Sequence, residues 1–351
     1  MNTSCRKNTD FLEIRPYQIL CLICRLGRTS DCPYFFAEKL DEIQSRLAGN
    51  RDCVLKFRCN VESTFCYQNP GDAYDTPEGK SFNLRRDLAI LQRLGLTPGA
   101  EIPASDLIRL IIQPQYGIPS CRDICGFEQQ TSPTWKGCKF ADSGNYERGI
   151  KVALEKLIPG RSKAERESCK KDTAALMYRR DLLQISPHHL LCMACFVGKS
   201  TADQYSPIPE DNLYEIIETC RQNPDIIIEL IAGPCMICPP CNGYYPDSGF
   251  CSMGFAMGLR NQIKDLDTLR LLGLDYGAKL PAAQLFKLLF ERIKEKNDVC
   301  GYQTGVQTHQ AWSICPGIGE GDGYENYRDA AKNNLGLPMQ AGSMPDISSD
   351  N

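Results

Sequence analysis

The sequence predicts a predominantly helical α+β protein built from two homologous domains related by a pseudo-twofold axis, each with about one short strand. Two halves of the chain repeat each other, and apolar residues recur at helical spacing through most of each half. Only VLKF from Val54 and IIIELI from Ile226 read as strands rich in branched residues. Because a single strand cannot form a sheet alone, we expect these two strands to pair with each other.

Composition places the chain among globular proteins. Its 351 residues are 42% hydrophobic and 24% charged, which excludes disorder throughout and leaves room for two domains. The chain has 40 basic and 43 acidic side chains. It therefore lacks the excess of positive charge that is typical of proteins that bind nucleic acid or an anionic membrane. No run of roughly 20 apolar residues is present, and the first residues carry charges where a signal peptide is apolar. We therefore expect a cytoplasmic protein that binds neither nucleic acid nor membrane.

The two halves share four blocks in the same order. The segment RPYQILCLICRLG from Arg15 recurs as SPHHLLCMACFVG from Ser186. LQRLGLTPGAEIPASDLIRLI from Leu91 recurs as LRLLGLDYGAKLPAAQLFKLL from Leu269. Near the end of each half, CGF in the first half corresponds to CGY in the second, and WKGC corresponds to WSIC. Four collinear blocks indicate a tandem duplication.

The repeat predicts the order of the elements. Each half begins with a short helix that carries the first cysteines and continues with an amphipathic helix, the strand and a Cys-bearing loop. A helix ending at LGL, a helix after a Pro-Ala pair and a Cys-rich segment follow. We expect domains at 11–149 and 185–332, joined by a charged helical connector at 150–184. Residues 333–351 lack periodic apolar residues and are expected to be a disordered tail.

Twenty cysteines accompany only three histidines, which in a reducing compartment points to metal or cluster ligands. About half of the thiols are expected to be packing residues. A thiol that recurs at the same place in both halves is a better candidate for a shared role. Five pairs recur: Cys21 with Cys192, Cys24 with Cys195, Cys66 with Cys238, Cys125 with Cys300, and Cys138 with Cys315.

HHLLC in the second half, the GPCMIC turn after the apolar strand, the LGL helix and the terminal Cys, Trp and Cys resemble a known family. This is an uncharacterised family of short prokaryotic Cys-rich proteins that open with Arg-Pro-His-His-Leu-Leu-Cys and are regarded as iron–sulfur binders. The first half departs from that motif, since Tyr17 and Gln18 stand at the positions of the two histidines. The resemblance implies these metal ligands: Cys192, Cys238, Cys300 and Cys315, and by a weaker match Cys21, Cys66, Cys125 and Cys138.

Four thiolates drawn from three regions of sequence suit a [4Fe–4S] cluster, because each iron of the cube takes one cysteine. Two such sets predict two clusters and about eight irons per chain. Structural zinc is the rival, although Cys₄ zinc sites more often use two short-spaced pairs and each half has one. Packing or disulfide roles are the third interpretation.

The second half adds CMICPPC, in which Cys235, Cys238 and Cys241 have the spacing of a bacterial ferredoxin ligand run. Cys251 or Cys315 would supply its fourth ligand. The first half has no clear counterpart of Cys235 or Cys241. These two are therefore either a local variant site or additional thiols near a cluster.

His188 and His189 are the candidate catalytic residues. One interpretation makes them hydrogen-bond partners of backbone or cluster sulfide, and the other assigns them proton transfer or ligation at a site confined to the second half. Other side chains are expected beside the clusters, as a shield from solvent or as thiols next to the ligands. They are Trp135, Trp312, Cys24 and Cys195.

Three functions follow from these residues. The leading hypothesis is an oxygen-sensitive iron–sulfur protein with one cluster per repeat, acting in electron transfer or redox sensing with a partner protein. The second is a cluster-dependent enzyme with a small-molecule substrate near His188 and His189. The third is a zinc-stabilised interaction protein.

Overall fold

The computed structural model describes most of the chain and divides it into two compact units. The first unit is Met1–Gly160 and the second is Arg161–Asn351. The division falls inside the segment 150–184 that we expected to be a connector, so its helices belong to different units. The described residues are 11–29, 37–50, 53–62, 64, 66–72, 75–114, 116–126, 132, 135–158, 160–200, 205–246, 250–251, 258–301 and 332–337.

The first unit begins with a strand and a cysteine-bearing helix. Pro16 is the first residue of that helix, where its missing N–H costs nothing. The elements in order are β1 (Phe11–Ile14), α1 (Pro16–Leu26), α2 (Ala37–Gly49), β2 (Val54–Phe57), a 3₁₀ helix (Cys66–Gln68), α3 (Lys80–Leu94), β3 (Glu101–Pro103), α4 (Ala104–Ile112), α5 (Arg122–Cys125) and α6 (Asn145–Leu157).

The second unit has a similar order, with one additional helix at its start and a short hairpin after its central strand. Gly95 and Gly273, the glycines of the two LGL segments, both have φ 65° and end their helices in the left-handed region. The elements are α7 (Lys163–Met177), β4 (Leu182–Ile185), α8 (Pro187–Lys199), α9 (Leu213–Gln222), β5 (Ile227–Leu230), β6 (Tyr244–Tyr245), β7 (Phe250–Cys251), α10 (Gly258–Leu272), β8 (Lys279–Pro281), α11 (Ala282–Arg292), α12 (Asn297–Cys300) and a 3₁₀ helix (Asn334–Gly336).

Each unit has its own three-stranded sheet with the same pattern of pairing. In the first, β2 lies between β1, which is parallel to it, and β3, which is antiparallel. In the second, β5 lies between β4 and β8 in the same orientations. The predominantly helical α+β class is therefore confirmed.

The expectation of one strand per half, paired with its counterpart in the other half, is wrong. Both edges of β2 and of β5 are occupied within their own units. The outer strands have three or four residues, and their local sequence does not mark them as strands. What creates them is pairing with a strand that lies more than 40 residues away.

The expected disordered tail is also partly wrong. The 3₁₀ helix at Asn334–Gly336 packs on α9 and α11, and Leu335 and Leu337 are buried in the second core. Arg221 Nε donates to Leu335 O at 2.7 Å, which fixes this turn to α9. The remaining residues, 338–351, lie outside the described part. Among the described helices, none combines the length and apolarity needed to cross a bilayer.

Candidate metal centres

In the first unit, α1 presents Tyr17, Cys21 and Cys24 at a spacing of four and three residues, so that they share one face. A buried carboxylate fixes the start of this helix: Asp87 Oδ1 accepts from Tyr17 N at 2.9 Å, and Arg15 Nε donates to Asp87 Oδ2 at 2.8 Å. Burial raises the pKa of Asp87 to about 6, against the opposing effect of Arg15, so the carboxylate remains ionised at neutral pH. This contact positions Cys21 against α3.

Five thiols collect at that position, and we call them the first thiol set: Cys21, Cys24, Cys121, Cys125 and Cys138. Cys125 ends α5, where its carbonyl accepts from Cys138 N at 2.8 Å. Burial, reinforced by the neighbouring thiols, raises the pKa of Cys21 well above its ordinary value, and burial raises the pKa of Cys138 to about 11. Hydrogen bonding from Cys121 and the charge of Arg86 lower the pKa of Cys125. The set can therefore supply one thiolate readily and others on metal binding.

Arg86 brings a buried positive charge to the first thiol set. Its side chain is 1% exposed, lies 3.9 Å from the centroid of the Tyr17 ring and donates to Thr76 Oγ1 at 3.1 Å. Its Nε has no hydrogen-bond partner, and within the described part of the chain no carboxylate forms an ion pair with it. A guanidinium is always charged, so these surroundings favour an anion beside it.

In the second unit, α8 is anchored in the same way. Asp265 Oδ1 accepts from His188 N at 2.8 Å and lies 2.7 Å from His188 Nδ1. Burial raises the pKa of Asp265 to about 7 and lowers the pKa of His188 well below its ordinary value. Lys264, at 4% exposure, occupies the helical position that Arg86 has in the first unit. His188 therefore supports the helix and pairs with Asp265.

His189 has a different partner. Its Nδ1 lies 3.0 Å from Cys235 Sγ, and Cys238 Sγ accepts from Cys235 N at 3.4 Å. The ligand atoms of His189, Cys235 and Cys238 all lie within 4.8 Å of one another. Although burial opposes it, the hydrogen bond from Cys238 and the charge of His189 hold the pKa of Cys235 well below its ordinary value. Burial acts to lower the pKa of His189, but the contact with Cys235 outweighs it and raises that pKa.

Cys241, the third thiol of CMICPPC, lies beside a different group. Gly243 N donates to its Sγ at 3.4 Å, and Arg161 Nη1 donates to its carbonyl at 3.4 Å. Cys169, which the sequence did not single out, donates from α7 to the carbonyl of Pro239 at 3.3 Å. Cys241 is therefore outside the group of three close donor atoms.

The other predicted site residues have the following places. Cys192 and Cys195 are half-buried on α8, and Cys300 is half-buried at the end of α12. Trp135 lines a hollow on the outer face of α3 together with Leu84 and Leu88. The side chain of Cys66, and all of Trp312 and Cys315, lie outside the described part. The expected ligand sets that include these three stay predictions.

Sequence reasoning missed the basic and acidic pair that supports each site. Arg86 and Asp87 recur as Lys264 and Asp265, at the same offset of 178 residues as the LGL block. The signal was available, because Asn83 and Asn261 extend the repeated block to Asn-x-x-basic-Asp. The apolar pattern that marks the repeat begins only at Leu91, after these residues.

No family model, curated protein or solved structure matches this chain.

Proposed function

We propose that the protein is an iron–sulfur protein whose first unit holds a [4Fe–4S] cluster in the first thiol set, acting in electron transfer or redox sensing. Cys21, Cys125 and Cys138 are the proposed ligands from α1, α5 and the loop after it. The fourth is drawn from Cys24, Cys121 and the predicted Cys66. Such a cluster supplies one-electron chemistry, and a cytoplasmic, oxygen-sensitive setting belongs to the same proposal.

The observation that carries the proposal is the buried Arg86 guanidinium among thiols. A cluster with four thiolate ligands is anionic, and its acid-labile sulfides accept hydrogen bonds, so it would satisfy the charge and the unpartnered Nε together. Without a cluster, Cys125 is the thiol of this set whose pKa Arg86 lowers most clearly, while the pKa values of Cys21 and Cys138 are raised. The buried guanidinium is then only partly compensated, which is costly. The donor set and its charge environment therefore fit the cluster.

Anaerobic purification of the full chain, followed by iron and sulfide analysis and electron paramagnetic resonance after reduction, tests the ligands. Cys125→Ala should remove about four irons and four sulfides per chain, the content of one cubane. Cys53→Ala is the matched control, since Cys53 is also buried in the first unit but is not in the thiol set. Absence of acid-labile sulfide, or equal loss in both variants, would contradict the proposal.

Arg86 is tested by potentiometry. Removing a positive charge beside the cluster makes the reduced form less stable, so Arg86→Met should lower the reduction potential. Arg85→Met is the control, because Arg85 precedes Arg86 in α3 and is exposed. An unchanged potential in Arg86→Met, with the cluster intact, would show that Arg86 does not face the cluster.

A further inference from the structure

The second unit contains a donor group that has no equivalent among the described residues of the first. His189 corresponds by the offset of 171 residues to Gln18. Gln18 Oε1 accepts from Arg15 N at 2.8 Å in a capping box, so that side chain is engaged at the start of α1. His189 instead turns its Nδ1 toward Cys235 Sγ. The two units therefore differ in the chemistry that they offer at this position.

The spacing of the three donors fits one ion. Zinc binds thiolate sulfur at about 2.3 Å and imidazole nitrogen at about 2.0–2.1 Å, which places the corners of its tetrahedron roughly 3.5–3.8 Å apart. The donors of His189, Cys235 and Cys238 lie within 4.8 Å of one another, with one pair at 3.0 Å. In a cubane each thiolate binds a different iron, which spreads the ligands over a larger volume. Three donors this close favour a mononuclear centre.

Backbone hydrogen bonds hold the loop that carries both cysteines in place. Consecutive turns connect Cys238 N to Cys235 O at 3.0 Å and Cys241 N to Cys238 O at 2.9 Å. Met236 N donates to Gln184 O at 3.2 Å beside β4, and Asn212 N donates to Ile237 O at 3.1 Å. Two separate elements thus fix the loop, so little ordering remains to oppose ion binding.

The imidazole is fixed from the other side. His189 N donates to Ser186 O at 2.9 Å in the first turn of α8, which Asp265 anchors through the amide of His188. A candidate for the fourth donor is Cys251, which pairs opposite Tyr244 in the β6–β7 hairpin and interacts electrostatically with Cys238. Nitrogen and sulfur ligands in a tetrahedron are the preference of Zn²⁺.

We infer that the second unit binds a single Zn²⁺ ion through His189 Nδ1, Cys235 Sγ and Cys238 Sγ, in place of a second iron–sulfur cluster. The inference deepens the proposed function, on which it rests for the metal-binding character of the chain. It changes the expected content from eight irons to four irons and one zinc. Cys238, which the resemblance assigns to a cluster, becomes a zinc ligand.

The test uses the full chain purified anaerobically from medium that contains both iron and zinc, with each metal and acid-labile sulfide measured per chain. We expect one zinc, falling to less than a tenth in Cys235→Ala and in His189→Ala, while the iron content of the first unit is unchanged. Cys241→Ala is the matched control and should keep its zinc, because Cys241 belongs to the same loop but not to the donor group. His189→Cys, which restores a donor, should regain zinc and shows that loss in His189→Ala is not loss of folding.

Three results would overturn the inference: eight irons without zinc, zinc that persists in Cys235→Ala, or a metal-free second unit. In the last case Cys235 would be a thiolate paired with His189, and rapid alkylation of Cys235 by iodoacetamide that His189→Ala abolishes would identify it. A different result would contradict the proposed function alone. In that case the zinc content would still depend on Cys235, but the chain would contain no acid-labile sulfide and Cys125→Ala would not change its iron content.

Discussion

Replacing Asp87 tests how the first centre is positioned. The carboxylate is fully buried and has three contacts: the amide of Tyr17 at 2.9 Å, Arg15 Nε at 2.8 Å and Arg15 Nη2 at 2.7 Å. In Asp87→Ala the Tyr17 amide loses its acceptor, which costs about 1–3 kcal/mol. Arg15 also loses one of two acidic partners, and breaking a buried ion pair costs about 3–5 kcal/mol in general.

Asp75 remains 2.5 Å from Arg15 Nη1 and keeps that charge partly compensated. We therefore expect a loss of about 3–5 kcal/mol in the free energy of unfolding of the first unit, near the lower end of the summed costs. Asp87→Asn retains an oxygen for the Tyr17 amide and should lose about half as much. Asp41→Asn is the control, since its ion pair with Arg25 is exposed and contributes less than about 1 kcal/mol.

The assay is urea unfolding followed by tryptophan fluorescence in a Trp312→Phe background. The chain has two tryptophans, so Trp135 then reports on the first unit alone. Two-state transitions for this unit convert the midpoint shift into a free energy. If Asp87→Ala shifts the midpoint no more than Asp41→Asn does, the carboxylate does not anchor α1 and the reasoning about both centres fails.

Three further predictions follow from the same contacts. Gly149→Ala would place a Cβ 1.9 Å from Ile23 O, so α1 and α6 must separate and the protein should unfold at a lower temperature. Gly49→Ala is the control and should not destabilise the protein, because its Cβ would meet nothing within 4 Å. Because burial raises the pKa of Cys138 to about 11, its thiol is protonated at neutral pH, and metal uptake by the first thiol set must release protons. Cobalt affinity measured at pH 6, 7 and 8 should therefore rise at each step, and a pH-independent affinity would refute this assignment. Leu335→Ala should lower the free energy of unfolding of the second unit by about 2–5 kcal/mol, measured by urea unfolding. An unchanged free energy would support the expectation that residues 333–351 are a disordered tail.

The sequence alone determined the helices and their ends. The first cysteines of each half were placed on a short helix, which is found as α1 and α8, and each LGL segment predicted where α3 and α10 end. These are local effects of backbone geometry and apolar periodicity, so they can be read without knowing what the helices contact. The recurrence of cysteines in both halves also selected four of the five members of the first thiol set.

Tertiary structure decided the strands and the partners of the site residues. A strand of three or four residues exists only because a distant segment supplies its hydrogen bonds, as for β1 and β3 beside β2. His189 and Cys235 meet across 46 residues, and Arg15 and Asp87 meet across 72. Side-chain periodicity records which face of a helix is buried but not which residue lies opposite. The sequence shows that Gln18 in the first half corresponds to His189 in the second. Only the tertiary structure shows that Cys235 lies beside His189.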